Sequence, residues 1–110
     1  MQRFEYRGPR FSCDLPFQLT VNDSTLIVRC TEISKTGMKL EIGQPQQVGS
    51  FGTVSIIHEG RALEFRVRFV HVGETYAGLD VIYSSDDDQK AMDDLIESVT
   101  AARGAKVRCF

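Results

Sequence analysis

Strict alternation of apolar and polar residues constrains this chain more than any other feature. In the stretch RALEFRVRFVHV, Leu63, Phe65, Val67 and Phe69 alternate with Glu64, Arg66 and Arg68. Successive side chains of an extended strand point to opposite faces, so this spacing predicts a strand with one buried face and one solvated face. The same period runs through Leu15, Phe17, Leu19 and Val21, then through Leu26, Val28 and Cys30. It returns in Met38, Leu40 and Ile42, in Val54, Ile56 and His58, and in Leu79, Val81 and Tyr83. The punctuation between the runs is that of turns: Asn22-Asp23-Ser24, Glu59-Gly60, Gly73-Glu74, and a longer Gln/Gly/Pro loop from Gly43 to Gly49.

About six closely spaced antiparallel strands in 110 residues tend to close into a barrel or a sandwich, because closure removes exposed edges. The period then changes. Met92, Leu95, Ile96, Val99 and Ala102 recur at helical spacing and form one apolar stripe. Ser84 or Ser85 can cap this helix, Asp86, Asp87 and Asp88 suit the positive end of its dipole, and Gly104 stands where it would stop. The expected architecture is mainly β, a six-stranded antiparallel barrel with a C-terminal α-helix. It divides into a flexible arginine-rich arm over residues 1–11, a barrel plus helix over 12–104 and a tail over 105–110.

The formal net charge of −2 conceals an asymmetry. Residues 86–97 hold six carboxylates against Lys90, so the remainder of the chain is mildly basic. That excess is too small for the broad positive footprint expected of a duplex-DNA binder. Single-stranded DNA or RNA binding is disfavoured too, because Phe17, Phe65 and Phe69 alternate inward and leave few aromatics for stacking on bases. No apolar run approaches the ~20 residues that span a bilayer, so membrane insertion is not expected. The start of the chain lacks a secretory signal, and Cys13, Cys30 and Cys109 are odd in number and scattered, which together predict a cytoplasmic chain with reduced thiols. Cys13 and Cys30 read as core residues of strands. His58 and His71 are isolated, with no metal-like spacing, and no metal site is expected. No nucleophile–base arrangement or phosphate-binding glycine loop is present, so the chain reads as a binder, not an enzyme.

Two polar stretches remain. RFEYRGPRF, residues 3–11, places Arg3, Arg7 and Arg10 directly ahead of the first strand. EISKTGMKLE, residues 32–41, sets Glu32, Ser34 and Gly37 at spacings of two and three in a turn between two strands. A carboxylate accepts from N–H groups, a hydroxyl gives or takes one bond, and a glycine permits a positive φ or a close approach. The same residues equally make an ordinary tight turn. Together, the arm and the turn resemble the PilZ domain family, whose motifs are Arg-x-x-x-Arg in an N-terminal arm and Asp/Asn-x-Ser-x-x-Gly at this turn. The resemblance extends over nearly the whole chain, including YAGLDVI (Tyr76–Ile82), which is similar to the family's glycine-containing last strand.

The sequence departs from the family pattern at two places. Glu32 stands where the family has Asp or Asn, which moves the carboxylate outward by one methylene. The arm fits in two registers: Arg3 and Arg7 match the first motif literally, whereas Arg10 has the family's placement immediately before the first apolar strand residue, with Tyr6 then in the first arginine position. The resemblance implies a bacterial second-messenger receptor whose ligand is cyclic di-GMP, with no other cofactor, signalling to an unidentified regulated protein as its arm orders. In that reading Arg3, Arg7, Arg10, Glu32, Ser34, Gly37 and Tyr76 bind the ligand, Tyr76 by stacking on a base. The family also contains ligand-independent relatives that work as protein-interaction adaptors, which is the alternative expectation.

Overall fold

The computed structural model describes residues 10–44 and 46–102. Arg3, Arg7 and most of the expected arm, together with the expected tail, lie outside the described residues. Among the described residues, six strands and one helix follow in order: β1 (Phe11–Val21), β2 (Ser24–Ile33), β3 (Gly37–Glu41), β4 (Phe51–His58), β5 (Arg61–Val72), β6 (Tyr76–Ile82) and α1 (Asp86–Ala102). The strands close into a barrel in the order β1-β2-β3-β6-β5-β4, every neighbouring pair antiparallel. The expected mainly-β barrel with a closing helix is the fold adopted.

The alternating pattern does what its period demands. Phe17, Leu19, Val28, Leu40, Val54 and Phe69 are among the buried residues that fill the barrel. Two hairpins turn in two residues. Asn22 and Asp23 both have positive φ, and so do Glu59 and Gly60. This left-handed pair matches the twist of the flanking strands.

Three irregularities shift the phase. The β1–β2 ladder skips between Ser12 and Leu15, β2–β3 between Cys30 and Glu32, and β5–β6 between Phe69 and His71. A bulge places one extra residue on one strand, so the residues beyond it change face. In β2 the inward set Val28 and Cys30 therefore continues as Ile33, fully buried, and not as Glu32. Glu32 is turned to the outer face by this bulge.

α1 buries Met92, Leu95, Ile96 and Val99 in the same core cluster as the strands. Burying each such side chain is worth about 1.5–3 kcal/mol. The helix lies between two turns of the barrel: Asp93 pairs with Lys35 of the β2–β3 turn at 3.7 Å, and Ser98 Oγ donates to Glu59 of the β4–β5 turn at 3.3 Å. Its start is capped by Ser85, whose Oγ accepts from the Asp88 N–H at 3.3 Å. The Asp88 carboxylate in turn accepts from Ser84 N (3.1 Å) and Ser84 Oγ (2.8 Å), bonds that hold its pKa below the usual carboxylate value. Ser85→Ala should lower stability by about 1 kcal/mol, read as a shifted urea midpoint at unchanged slope. Among the described residues no helix is long and apolar enough to cross a membrane.

Candidate functional site

The β2–β3 turn is built from within. Ser34 N donates to the Gly37 carbonyl at 2.9 Å. Ser34 Oγ accepts from Gly37 N (3.2 Å) and Thr36 N (3.3 Å) and donates toward the Gly37 carbonyl (3.2 Å). The side chain is buried, and its hydroxyl is engaged with the turn's own backbone. The turn is also clamped from outside. Val81 N donates to the Thr36 carbonyl at 3.0 Å, and the Tyr83 hydroxyl donates to the Lys35 carbonyl.

Gly37 has a steric reason to be glycine. A Cβ at this position would lie 2.4 Å from the Leu79 carbonyl oxygen of β6. The described glycines with positive φ are Gly49 and Gly60, so at Gly37 close strand approach, and not a left-handed turn, sets the requirement. The backbone that approaches is the protein's own.

Four strands then line up their outward residues. Glu32 pairs with Lys39, Lys39 with Gly78, and Gly78 with His71. The row crosses β2, β3, β6 and β5. Gly78 leaves its middle without a side chain, and the result is a trough of about 820 Å³. One rim carries Arg10, whose guanidinium lies 3.4 Å from the Glu32 carboxylate. Along the floor Lys39 Nζ sits 4.7 Å from the centre of the Tyr76 ring, and Tyr76 is 40% exposed. Val70 and His71 form the other rim. A guanidinium, an ammonium and an exposed ring thus share the trough with two carboxylates, Glu32 and Asp80, an arrangement that offers a planar ligand cationic, stacking and hydrogen-bond-accepting groups.

Of the residues singled out from sequence, Arg10, Glu32, Ser34, Gly37 and Tyr76 are brought to this trough. Arg3 and Arg7 lie outside the described residues. A larger concavity, about 1050 Å³, opens at the β1–β4 seam on the opposite side of the barrel order. Its lining is chiefly apolar, including Leu15, Phe17, Ile56, Leu95 and Val99, and it gathers no comparable set of charges. Among the described residues no group of three or more His, Cys, Asp or Glu side chains is arranged to hold a metal ion.

The sequence profile of the PilZ domain matches residues 2–100. The chain belongs to the PilZ domain family. The fold of this PilZ domain is similar to the crystal structure of the PilZ domain of CeSA from a cellulose-synthesizing bacterium, with a TM-score of 0.70 at 14% identity. The match covers 81% of this chain and 95% of that one. No curated protein matches the sequence. PilZ domains are regulatory binding domains, not enzymes.

Lys39 and Gly78 of the trough were not singled out as site residues from the sequence of this PilZ domain, and His71 read there as an isolated histidine. For Gly78 a signal existed: a lone glycine inside a strand pattern marks a bulge or a close approach. Lys39 read as one polar residue of an alternating strand, and only the β2–β3–β6 register sets it between Glu32 and Gly78.

Tyr83, which braces the turn, carries a pH signature. Burial, with help from Asp93 and Asp88, pushes its phenol up to about 12 from an ordinary value near 10. The neutral phenol is favoured in the fold, so its stabilising share is complete below pH ~10 and is lost as the pH climbs toward 12. Comparing urea midpoints of the native chain and Tyr83→Phe across this window should show a steeper decline for the native chain.

Proposed function

We propose that this PilZ domain is a cytoplasmic receptor for cyclic di-GMP that signals to a partner protein through its N-terminal arm. The observation that carries the reading is the convergence of Arg10, Lys39 and the exposed Tyr76 ring with Glu32 in one trough. Cyclic di-GMP presents two guanines and two singly charged phosphodiesters in a compact ring. Guanine O6 and N7 are paired acceptors that fit an arginine fork, whereas N1–H and N2–H₂ are donors that require an oxygen such as those of Glu32. Tyr76 offers a face to a base, and Lys39 offers charge to a phosphate. Ser34 and Gly37 contribute by holding the turn rigid and bringing β3 and β6 close, so the turn is preformed before ligand arrives.

Arg3 and Arg7 supply further charge from the arm. Ordering an arm on binding costs about 2–5 kcal/mol of the gross interaction, in exchange for a ligand-dependent change at the edge of the domain. A partner that senses the arm then senses the nucleotide.

Two observations favour the second reading, a ligand-independent adaptor: the Glu32 carboxylate already has Arg10 as its partner, and the Ser34 hydroxyl is engaged within the turn. Calorimetric titration with cyclic di-GMP, and with cyclic di-AMP as control, separates the two. Saturable heat with the guanine ligand alone supports the receptor. Absence of heat at tens of micromolar ligand leaves the adaptor.

A further inference from the structure

Behind the rim of the trough, two thiols face one another inside the barrel wall. Cys13 of β1 and Cys30 of β2 are both buried, with their Sγ atoms 3.6 Å apart. Cys13 Sγ also lies 3.3 Å from the Cys30 carbonyl, and the Cys30 thiol donates to the Glu32 carbonyl at 3.2 Å. We propose that Cys13 and Cys30 are an oxidation site, a dithiol that closes to an intramolecular disulfide on reaction with a low-molecular-weight disulfide.

Geometry favours closure. A disulfide bond is ~2.05 Å long, so the sulfur atoms must approach by about 1.5 Å. The β1–β2 ladder is already irregular at this point, since its register shifts between Ser12 and Leu15. A bulged strand has slack that a regular ladder lacks. Among the described residues, the first half of β1 is paired with one neighbouring strand, β2. Its ladder to β4 is confined to Gln18, Leu19 and Thr20, whereas the pairing with β2 runs the length of the strand. A strand segment with one hydrogen-bonded neighbour opens at lower free energy than the core, and this opening admits the oxidant to Cys13.

The order of events follows from the surroundings. Cys30 is fully buried, and the bond with Cys13 together with burial holds its pKa well above the ordinary thiol value. Cys13 on the opening strand is therefore the attacking thiol. Its thiolate forms a bond to one sulfur of the small disulfide, which expels one thiolate and leaves a mixed disulfide. Cys30, deprotonated by solvent base during the same opening, then attacks Cys13 Sγ and expels the second small thiolate. Two protein thiols are oxidised, one small disulfide is reduced to two thiols, and the two protons released protonate the leaving thiolates.

The resulting staple joins the strand that follows Arg10 to the strand that carries Glu32. It also removes the S–H that donates to the Glu32 carbonyl. The site does not depend on the nucleotide reading, and its test contains no nucleotide.

The full chain carrying Cys109→Ser, so that only the pair remains, is incubated folded with oxidised glutathione and quenched with N-ethylmaleimide in urea. The expected product has lost both alkylatable thiols, is lighter than the reduced chain by two hydrogens, retains no glutathione, and gives a linked Cys13–Cys30 peptide on unreduced digestion. Cys30→Ala in the same background should instead accumulate one glutathione on Cys13. Two thiols still alkylated after oxidant, or a disulfide that forms only when urea is present during oxidation, would overturn the proposal. The Cys109→Ser chain decides this whether or not the Cys30→Ala chain folds.

Discussion

Arg10→Ala is expected to weaken cyclic di-GMP binding by roughly 10- to 100-fold, the equivalent of about 1–3 kcal/mol for one arginine fork on a guanine edge. The fold should barely notice. Arg10 precedes β1, its side chain is 40% exposed, and an exposed ion pair such as Arg10–Glu32 contributes less than about 1 kcal/mol. Loss of affinity with an unchanged melting curve therefore assigns the residue to recognition. Arg10→Lys should recover only part of the loss, because an ammonium keeps the charge without the planar pair of donors. Glu32→Asp restores the family's shorter acid and should bind at least as tightly as the native chain. The same titrations decide the register of the arm. If Arg10→Ala is silent while Arg7→Ala loses affinity, the literal Arg3/Arg7 register is the operative one, and the Arg10–Glu32 pair belongs to the fold alone.

The second large effect is a contrast between two glycines on adjacent, paired strands. Gly37→Ala should destabilise the domain by about 1–3 kcal/mol, the range for forcing extra atoms into a packed site. The new methyl would stand 2.4 Å from the Leu79 carbonyl, a backbone atom that can yield only if β3 and β6 separate. For a domain of this size each kcal/mol lowers the melting temperature by about 4–8 °C. Gly78→Ala should do the opposite. The nearest atom to a Cβ at that position is His71 Cβ at 3.5 Å, an ordinary contact, and glycine weakens a strand interior. Stability should hold or rise slightly, while the methyl projects from the floor of the trough and reduces affinity for the nucleotide. Urea denaturation and calorimetry on the two variants separate the position that serves packing from the one that serves the cavity.

Much of the architecture can be read from residue order because it rests on one repeated local rule. Leu63, Phe65, Val67 and Phe69 alternate in the sequence and are all buried in the barrel. Met92, Leu95, Ile96 and Val99 change the period and form the buried face of α1. The site was less legible, and the reason is register. Glu32 faces outward only because a bulge after Cys30 reverses the phase of β2, and an alternating pattern does not announce such a reversal. The row Glu32, Lys39, Gly78, His71 joins four strands whose alignment depends on ladders between residues distant in sequence. Ser34 illustrates a different limit. Its spacing to Gly37 was visible, but the bonds that tie its hydroxyl to the backbone of the turn were not. The proximity of Cys13 and Cys30 likewise arises from the β1–β2 pairing and cannot be inferred from their separation along the chain.

A receptor built as proposed seats the nucleotide on the outer face of β2, β3 and β6. Amide chemical shifts of the isotope-labelled full chain, followed through a titration with cyclic di-GMP, test that claim residue by residue. Changes should concentrate at Arg10, Glu32, Gly37, Lys39, Tyr76 and Gly78, and spare the β1–β4 seam around Phe17 and Ile56. Shifts confined to that seam, or a spectrum that ligand leaves untouched, would contradict it.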